Sequence, residues 1–394
     1  MTVQRPEDSA KPSSKDTSAV DLGRAELETL FAQRLSEAFA ALGCFNLAVF
    51  GKTGVGKSTL VNAIFGTEVA ETGLGKPVTR GLVYYRHPGG LLGLYDSEGF
   101  ETGTSGDEIL AGLRTFVSDS RALPIDQQIH AAWYLVRWSD RRFEDRQADF
   151  VRALADIGVP VMLVITQVPS REGVPHPEAV ELANYIQSLG LPLRPDGRAY
   201  LTNALADPFT GSPVFGLQEL LDATYLVVPE VATAALTAVQ ILDLERKRQA
   251  ARKIINQSVA LAAGVGATPI PFSDAALLVP TQVTMIARVT AAYGLPADRS
   301  RALAAAGAVV LTGGATMAGR YIATSLLKAI PGGQIATSAI SATVAGSLTR
   351  AVGEAWARVC EYALGLPPAE RDRFLAGSGV TELFMSYFKG KGRR

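Results

Sequence analysis

The stretch NLAVFGKTGVGKSTLVNAIF, Asn46–Phe65, decides the fold. Its opening apolar run, NLAVF, predicts a buried strand, and its closing run, Thr59–Phe65, predicts a helix. Between them, Gly51–Ser58 matches the pattern G-x-x-x-x-G-K-[ST]. Glycines let successive backbone N–H groups point inward, and a helix N-terminus carries a partial positive charge. This order of elements therefore predicts an anion-binding loop.

This loop is a candidate site for nucleotide phosphates. Lys57 can reach the β- and γ-phosphates, and the Ser58 hydroxyl can bind Mg²⁺. A loop of this kind occurs in GTPases, ATPases and kinases, so it does not by itself choose between them. The residues expected to contact the nucleotide here are Gly51, Lys52, Thr53, Gly54, Val55, Gly56, Lys57, Ser58 and Thr59.

Two segments downstream of the loop supply further candidates. Asp96 follows the apolar run LLGLY and opens the string Asp-Ser-Glu-Gly, where the aspartate can hold the Mg²⁺ shell and the amide of Gly99 can sense a γ-phosphate. Gly75–Arg80, which we expect to form a loop, contains Thr79, whose hydroxyl could complete the Mg²⁺ coordination. The candidate catalytic residues are Lys57, Thr79 and Gly99, and the candidate metal ligands are Ser58, Thr79 and Asp96.

From residue 46 to about residue 226, short apolar runs alternate with helical stretches. Several runs are continuously apolar, which is typical of strands buried on both faces of a mostly parallel sheet. Helical stretches such as Arg146–Ala155 and Pro177–Ser188 lie between them, and this alternation favours a doubly wound α/β domain. The predicted strands are Asn46–Phe50, Leu82–Tyr85, Leu91–Tyr95, His130–Val136, Val159–Thr166 and Arg198–Leu201.

A charged loop follows one of these strands. Arg137, Arg141 and Arg142 lie close to Asp140 in the sequence, and they either supply positive charge to a nucleotide or form a solvated loop. The carboxylates of Glu144 and Asp145 predict the start of the next helix.

The chain divides into four parts by composition. Residues 1–23 are polar and predict a disordered tail, and residues 24–228 form the α/β domain with an amphipathic N-terminal helix that we expect to pack on the domain that follows it. Residues 229–254 are a linker, in which Asp243–Lys253 predicts a solvated helix. Residues 255–394 lack strand signals and predict an all-α domain.

The helical part leaves two interpretations open. Asn256–Ser273 and Ala302–Gly319 approach the ~20 apolar residues of a membrane span, but they consist of Ala, Gly and Thr rather than Leu and Ile. Small residues permit close helix contact either in a membrane or in a soluble bundle. The alternatives are a soluble bundle or homo-oligomer that buries these faces, and a shallow association with a membrane surface.

Overall composition indicates the cellular compartment of the protein and the partners it is expected to bind. The formal net charge is zero, which gives no sign of a nucleic-acid-binding surface. Cys44 and Cys360 are far apart and fit a reducing compartment better than a disulfide framework. Because the polar opening stretch has no signal-peptide pattern, we expect a cytoplasmic protein, with membrane association left open.

The segments GKTGVGKST, KPVTR and DSEG, in this order, resemble the Era-like branch (TrmE, Era and septins) of the translation-factor-class GTPases. The resemblance covers about residues 46–226 and implies GTP or GDP with Mg²⁺ as the ligand. It implies a switch threonine at Thr79 and a metal-linked aspartate at Asp96. Phe100 stands where Ras-type enzymes use a glutamine to orient water, so we expect intrinsic hydrolysis to be slow or to depend on another group or a partner.

Base recognition departs from the pattern of that branch. That branch carries the motif [NT]-K-x-D, and this chain has Thr166-Gln167-Val168-Pro169 in its place. Because proline replaces the aspartate, the carboxylate that would accept hydrogen bonds from guanine is missing. Asn203 and Ala204 resemble the loop that contacts the guanine carbonyl. The candidate base contacts are therefore Thr166, Gln167, Asn203 and Ala204. Guanine preference thus follows from the resemblance, and the alternatives are an NTPase of relaxed base specificity that also takes ATP, or an assembly protein that hydrolyses little.

The second half resembles the C-terminal helical domain of uncharacterised function that some bacterial Era-like proteins carry. The similar stretch is Ile270–Leu295. The resemblance implies an architecture, with an unidentified effector or a membrane surface as the partner of the helices.

Overall fold

The computed structural model describes residues 24–66, 76–79, 82–87, 89–97, 106–120, 123–266, 274–295 and 337–390. The predicted tail, residues 1–23, lies outside the described residues, as do Gly99, Phe100 and Ala302–Gly319.

The N-terminal half forms a seven-stranded sheet in the order β2-β3-β4-β1-β5-β6-β9. Strands β4, β1, β5, β6 and β9 run parallel, whereas β2 and β3 pair antiparallel at one edge. A separate two-stranded hairpin, β7–β8, follows β6. The mostly parallel sheet is confirmed. The strand bounds are β1 Phe45–Phe50, β2 Lys76–Thr79, β3 Leu82–Arg86, β4 Leu92–Ser97, β5 Ala131–Arg137, β6 Val161–Thr166, β7 Ser170–Arg171, β8 Val174–Pro175 and β9 Ala199–Leu201.

Strand β2 corrects one prediction. The segment Gly75–Arg80 was expected to be a loop, but Lys76–Thr79 pairs with β3. Its position explains both the pairing and the weak sequence signal. An edge strand tolerates Pro77, which has no backbone N–H to donate, and the register shifts between Pro77 and Thr79.

Helices cover both faces of the sheet. Along β5 the side chains alternate, with Trp133 packed in the core on one face and Tyr134 in the core on the other. The first face is covered by α2, α6 and α7, and the second by α3, α4 and α5. The doubly wound arrangement follows from this two-sided burial. The helix bounds are α1 Arg24–Leu42, α2 Lys57–Phe65, α3 Gly106–Ser120, α4 Asp145–Asp156, α5 Pro177–Ser188, α6 Leu217–Val227 and α7 Glu230–Val239.

The C-terminal region is helical, as predicted, and its core is continuous with one face of the sheet. Trp356 of this region and Trp133 of the sheet belong to the same cluster of buried apolar residues. Among the described helices, none combines the length and the apolar content that crossing a membrane requires. The helix bounds are α8 Leu244–Gly266, α9 Asp274–Ala292, α10 Thr337–Leu364, α11 Pro368–Ala376 and α12 Gly379–Phe388.

The N-terminal helix α1 has a different partner from the one expected. It packs chiefly along α9 of the C-terminal region, with a smaller contact to α7. Phe31 and Leu35 are fully or almost fully buried there. The expectation that α1 packs on the domain directly after it is therefore wrong, because its apolar stripe is buried chiefly by a helix of the C-terminal region.

The charged segment Asp243–Lys253 is also not fully solvated. It forms the first part of α8, and Lys247 within it is 1% exposed. The Lys247 ammonium donates hydrogen bonds to the carbonyl oxygen of Ala238 at 2.5 Å and to that of Tyr293 at 3.0 Å. Lys247 thus joins the C-terminal ends of α7 and α9, and the prediction of a solvated helix is wrong for its inner face.

Candidate functional site

The phosphate loop, Gly51–Ser58, connects the end of β1 to the start of α2 and depends on backbone conformations that glycine favours. Gly51, Gly54 and Gly56 have φ angles of 146°, 77° and 98°. A Cβ atom on Gly51 would lie 2.7 Å from the carbonyl oxygen of Leu135 in β5. The loop can therefore lie this close to the neighbouring strand only with glycine at its first position.

Lys57 lies inside the curl of the loop. Its ammonium donates hydrogen bonds to the carbonyl oxygen of Gly51 at 3.0 Å and reaches that of Lys52 at 3.4 Å. Gly56, the N-cap of α2, makes no side-chain cap, so the amides at this helix start are not used by a capping side chain. A positive charge and helix-terminal N–H groups thus lie together, which is the chemistry that binds phosphate.

Ser58 and Asp96 line one small pocket of about 60 Å³ together with Lys57. The parallel pairing of β1 and β4 brings Asp96 opposite Val49, just before the loop. A hydroxyl and a carboxylate are the oxygen ligands that Mg²⁺ takes beside nucleotide phosphates, so these two residues fit the ion. Of the other predicted metal and catalytic residues, Thr79 pairs with Leu82 two strands from Asp96, and Gly99 lies outside the described residues.

Thr166 and Gln167, predicted to contact the base, bond to the phosphate loop. The buried Thr166 hydroxyl donates to the carbonyl oxygen of Val55 at 2.6 Å, and the Gln167 amide donates to that of Gly54 at 3.1 Å. Gln167 has a left-handed φ of 58°, which turns its side chain over the loop. These contacts fasten the end of β6 to the loop.

Asn203 and Ala204 follow β9, the next strand of the sheet. The Asn203 amide donates to the carbonyl oxygen of Pro213 at 2.8 Å, and its backbone pairs with Phe215. Ala204 packs against the core. The Asn203 side chain therefore stabilises its own loop, and the structure does not join it to the residues of the phosphate loop.

A second group of charges flanks the loop. The Lys52 ammonium lies 3.1 Å from a carboxylate oxygen of Glu144, and Arg142 lies 3.4 Å from the same oxygen. Arg137 pairs instead with Asp140 at 2.8 Å. A cavity of about 320 Å³ opens between the loop and these arginines. Sequence reasoning assigned Glu144 only to the start of α4, where it is indeed the N-cap, and did not find its contact with Lys52.

The two cysteines carry no reactive thiol. Both are buried, and burial raises the pKa of Cys44 to about 11 and that of Cys360 further. A thiol of raised pKa stays protonated near neutral pH and is a poor nucleophile. Neither thiol is therefore expected to act as a nucleophile.

The sheet, the phosphate loop and the position of Asp96 define a P-loop nucleotide-binding domain. Residues 46–167 match the family model of the 50S ribosome-binding GTPase, and residues 232–371 match a domain of unknown function, DUF697. The chain carries a P-loop GTPase domain followed by a C-terminal domain of the DUF697 type.

Solved structures show distant likenesses. One is a bacterial selenocysteine-specific elongation factor, EF-Sec, with 15% identity over 47% of this chain and a TM-score of 0.30, and this chain spans only 28% of its length. Another is Toc33 from Arabidopsis thaliana in complex with GDP and Mg²⁺, with 18% identity over 52% of this chain and 95% of that one, and a TM-score of 0.32. At these TM-scores the likeness says nothing about activity. No curated protein matches the chain.

Proposed function

We propose that this chain is a GTP-binding switch of the Era-like class, which hydrolyses GTP slowly and couples its nucleotide state to the C-terminal helices. One observation carries the proposal: Lys57 lies inside the phosphate loop and shares a pocket with Ser58 and Asp96. This arrangement offers a cation, helix-terminal amides and two oxygen ligands at one point. It is suited to a nucleoside triphosphate with its metal.

The residues of the site have distinct proposed roles. The loop amides and Lys57 bind the phosphates, and the oxygens of Ser58, Asp96 and Thr79 are the proposed ligands of Mg²⁺. Bound Mg²⁺ neutralises charge on the β- and γ-phosphates. Gly99 is the proposed sensor of the γ-phosphate. The expected turnover is slow, because Phe100 has no polar group with which to orient water.

A direct contact supports coupling between the two parts of the chain. The backbone N–H of Ile241 donates to the carbonyl oxygen of Ile64, in the last turn of the helix that begins at Lys57. Ile241 lies between α7 and α8, close in sequence to the buried Lys247. A shift of α2 on nucleotide exchange would therefore act on the joint where the C-terminal helices start. The proposed recipient is an unidentified effector, a membrane surface or a second copy of the chain.

A second candidate function is a P-loop NTPase with relaxed base specificity. It is favoured by Pro169, which has no carboxylate for the guanine edge, and by Gln167, whose amide bonds to Gly54. A site without a matched polar group for the base discriminates weakly.

Calorimetric titration with GTP, GDP and ATP in Mg²⁺ tests both candidates. The switch predicts guanine preference, measurable GTP turnover and loss of nucleotide binding in Lys57→Ala. Equal affinity for GTP and ATP would favour the P-loop NTPase with relaxed base specificity over the GTP switch. A Lys57→Ala protein that binds GTP as tightly as the wild type would contradict both.

A further inference from the structure

A second charged cavity lies in the C-terminal region, between helices α8 and α10. Its volume of about 480 Å³ is in the range of small-molecule sites, which is roughly 300–1,000 Å³. Four arginines line it: Arg248, Arg252, Arg350 and Arg358. We refer to this cavity as the arginine cleft.

The carboxylates of the cleft do not cancel its charge. Glu354 and Glu361 are the acidic residues of its wall. Outside the wall, Glu245 lies 3.6 Å from Arg248 and 3.5 Å from Arg252. Four arginines against three glutamates therefore leave a net charge of +1. Glu361 is already engaged: it accepts hydrogen bonds from Arg248 at 2.9 and 3.1 Å and from the Tyr293 hydroxyl at 2.9 Å. Its charge is thereby used to hold Arg248 in a fixed orientation.

Two of the arginines are only weakly neutralised. Arg350 donates to the neutral amide oxygen of Asn256 at 3.1 Å, while its nearest carboxylate, Glu354, is 3.9 Å away. Arg358 lies 5.7 Å from the centre of the Tyr387 ring, and no carboxylate of the described residues lies within 4.0 Å of it. Both guanidinium groups therefore keep positive charge for an external anion.

The cleft is also partly apolar. Ala251, Ile255 and Ala357 contribute to its lining between the arginines. Guanidinium groups match phosphate oxygens in a bidentate geometry, and an apolar floor suits a ring or an alkyl portion. From the charge, the size and this lining we propose that the arginine cleft is a binding site for a phosphate-bearing small anion, separate from the phosphate loop. The phosphate belongs either to a soluble phosphate ester or to a phosphorylated lipid headgroup.

Pyrophosphate is the first probe, titrated calorimetrically into the full-length Lys57→Ala protein without Mg²⁺ so that the phosphate loop contributes little. We expect one binding site. The double substitution Arg350→Gln/Arg358→Gln should weaken it by about tenfold or more, since two charged hydrogen-bond donors are lost. Arg288→Gln, an exposed arginine of α9 that bonds to Gln257, is the matched control and should leave it unchanged.

Glu354→Gln provides a test that misfolding cannot imitate. Removing this carboxylate frees Arg350 and raises the positive charge of the cleft, so pyrophosphate should bind about threefold more tightly. The proposal is overturned if pyrophosphate does not bind, if the double variant binds as well as its parent, or if Glu354→Gln weakens binding.

Vesicle sedimentation separates the two sources of phosphate. Phosphatidylcholine vesicles with and without phosphatidylinositol 4-phosphate are mixed with wild-type and double-variant protein. The site binds a lipid headgroup if the protein sediments only with vesicles that contain the phosphorylated lipid, if the double variant does not sediment, and if added pyrophosphate prevents sedimentation. Pyrophosphate binding without sedimentation identifies a soluble phosphate ester. Because Lys57→Ala removes the phosphate-binding ammonium of the loop and leaves the cleft unchanged, failure of the proposed GTP switch and failure of the cleft give different results.

Discussion

Replacing Lys247 with methionine should remove a pH dependence from the stability of the fold. The Lys247 ammonium is enclosed by α7, α8 and α9, and its hydrogen-bond partners are the carbonyl oxygens of Ala238 and Tyr293. Burial lowers the pKa of Lys247 to about 7 from its ordinary value of 10.5. The charged form is thus disfavoured in the folded protein, because it has lost its water.

The direction of the effect follows from proton binding. Between the two pKa values the unfolded chain holds the Lys247 proton and the folded protein does not, so the free energy of unfolding rises with pH. The slope from one such group is about 1.4 kcal/mol per pH unit. From about pH 7.5 to about pH 9, the folded wild type should therefore gain about 2 kcal/mol.

Urea denaturation followed by circular dichroism measures this gain at both pH values. Lys247→Met should lower the overall stability, since two carbonyls lose their donor, but it should also flatten the pH slope by about 2 kcal/mol over the interval. Lys253→Met, an exposed lysine on the same helix, is the control and should keep the wild-type slope. The raised thiol pKa values of Cys44 and Cys360 make the free energy of unfolding fall as pH rises. This opposing effect is equal in all three proteins, so it does not change the comparison. Equal slopes in the wild type and Lys247→Met would refute a buried, neutralised Lys247.

Three further substitutions test the phosphate loop and the joint between the helices. Gly51→Ala should abolish GDP binding in calorimetry, because its Cβ would lie 2.7 Å from a carbonyl oxygen of β5. Gly54→Ala is the control: its Cβ meets no atom within 4 Å, so it should lower the free energy of unfolding by only about 1–2 kcal/mol through its positive φ. Thr166→Val removes a 2.6 Å bond to the loop and should weaken GDP binding by about fivefold, and unchanged affinity would contradict that role. Gly294→Ala, whose Cβ would overlap a carbonyl of α7, should lower the melting temperature far more than Gly190→Ala, which shares a positive φ but has open space.

Much of the GTPase domain could be predicted because its signals are local. The predicted strand His130–Val136 corresponds to Ala131–Arg137, a shift of one residue at each end. Buried strands of this kind are continuously apolar and stand out in the sequence. The edge strand Lys76–Thr79 was missed, because a strand paired on one side needs few apolar residues and admits proline.

The contacts of Thr166 and Gln167 could not be predicted from the sequence. The motif comparison placed both residues at the nucleotide base, whereas the structure bonds their side chains to the phosphate loop. Thr166 bonds to Val55, 111 positions earlier in the chain. A side chain's partner at that separation depends on the path of the whole sheet, which a short motif does not specify.

The sequence by itself determined the P-loop, the parallel sheet and the helical nature of the C-terminal region, since each depends on neighbouring residues and their periodicity. Only the tertiary structure decided that α1 packs on α9, that Lys247 is buried and that Arg350 and Arg358 line one cleft. The same charged residues can form a solvated helix or be buried between helices, depending on which distant helices cover them. Burial is a property of packing between remote segments, and it is packing that gives these charges their chemistry.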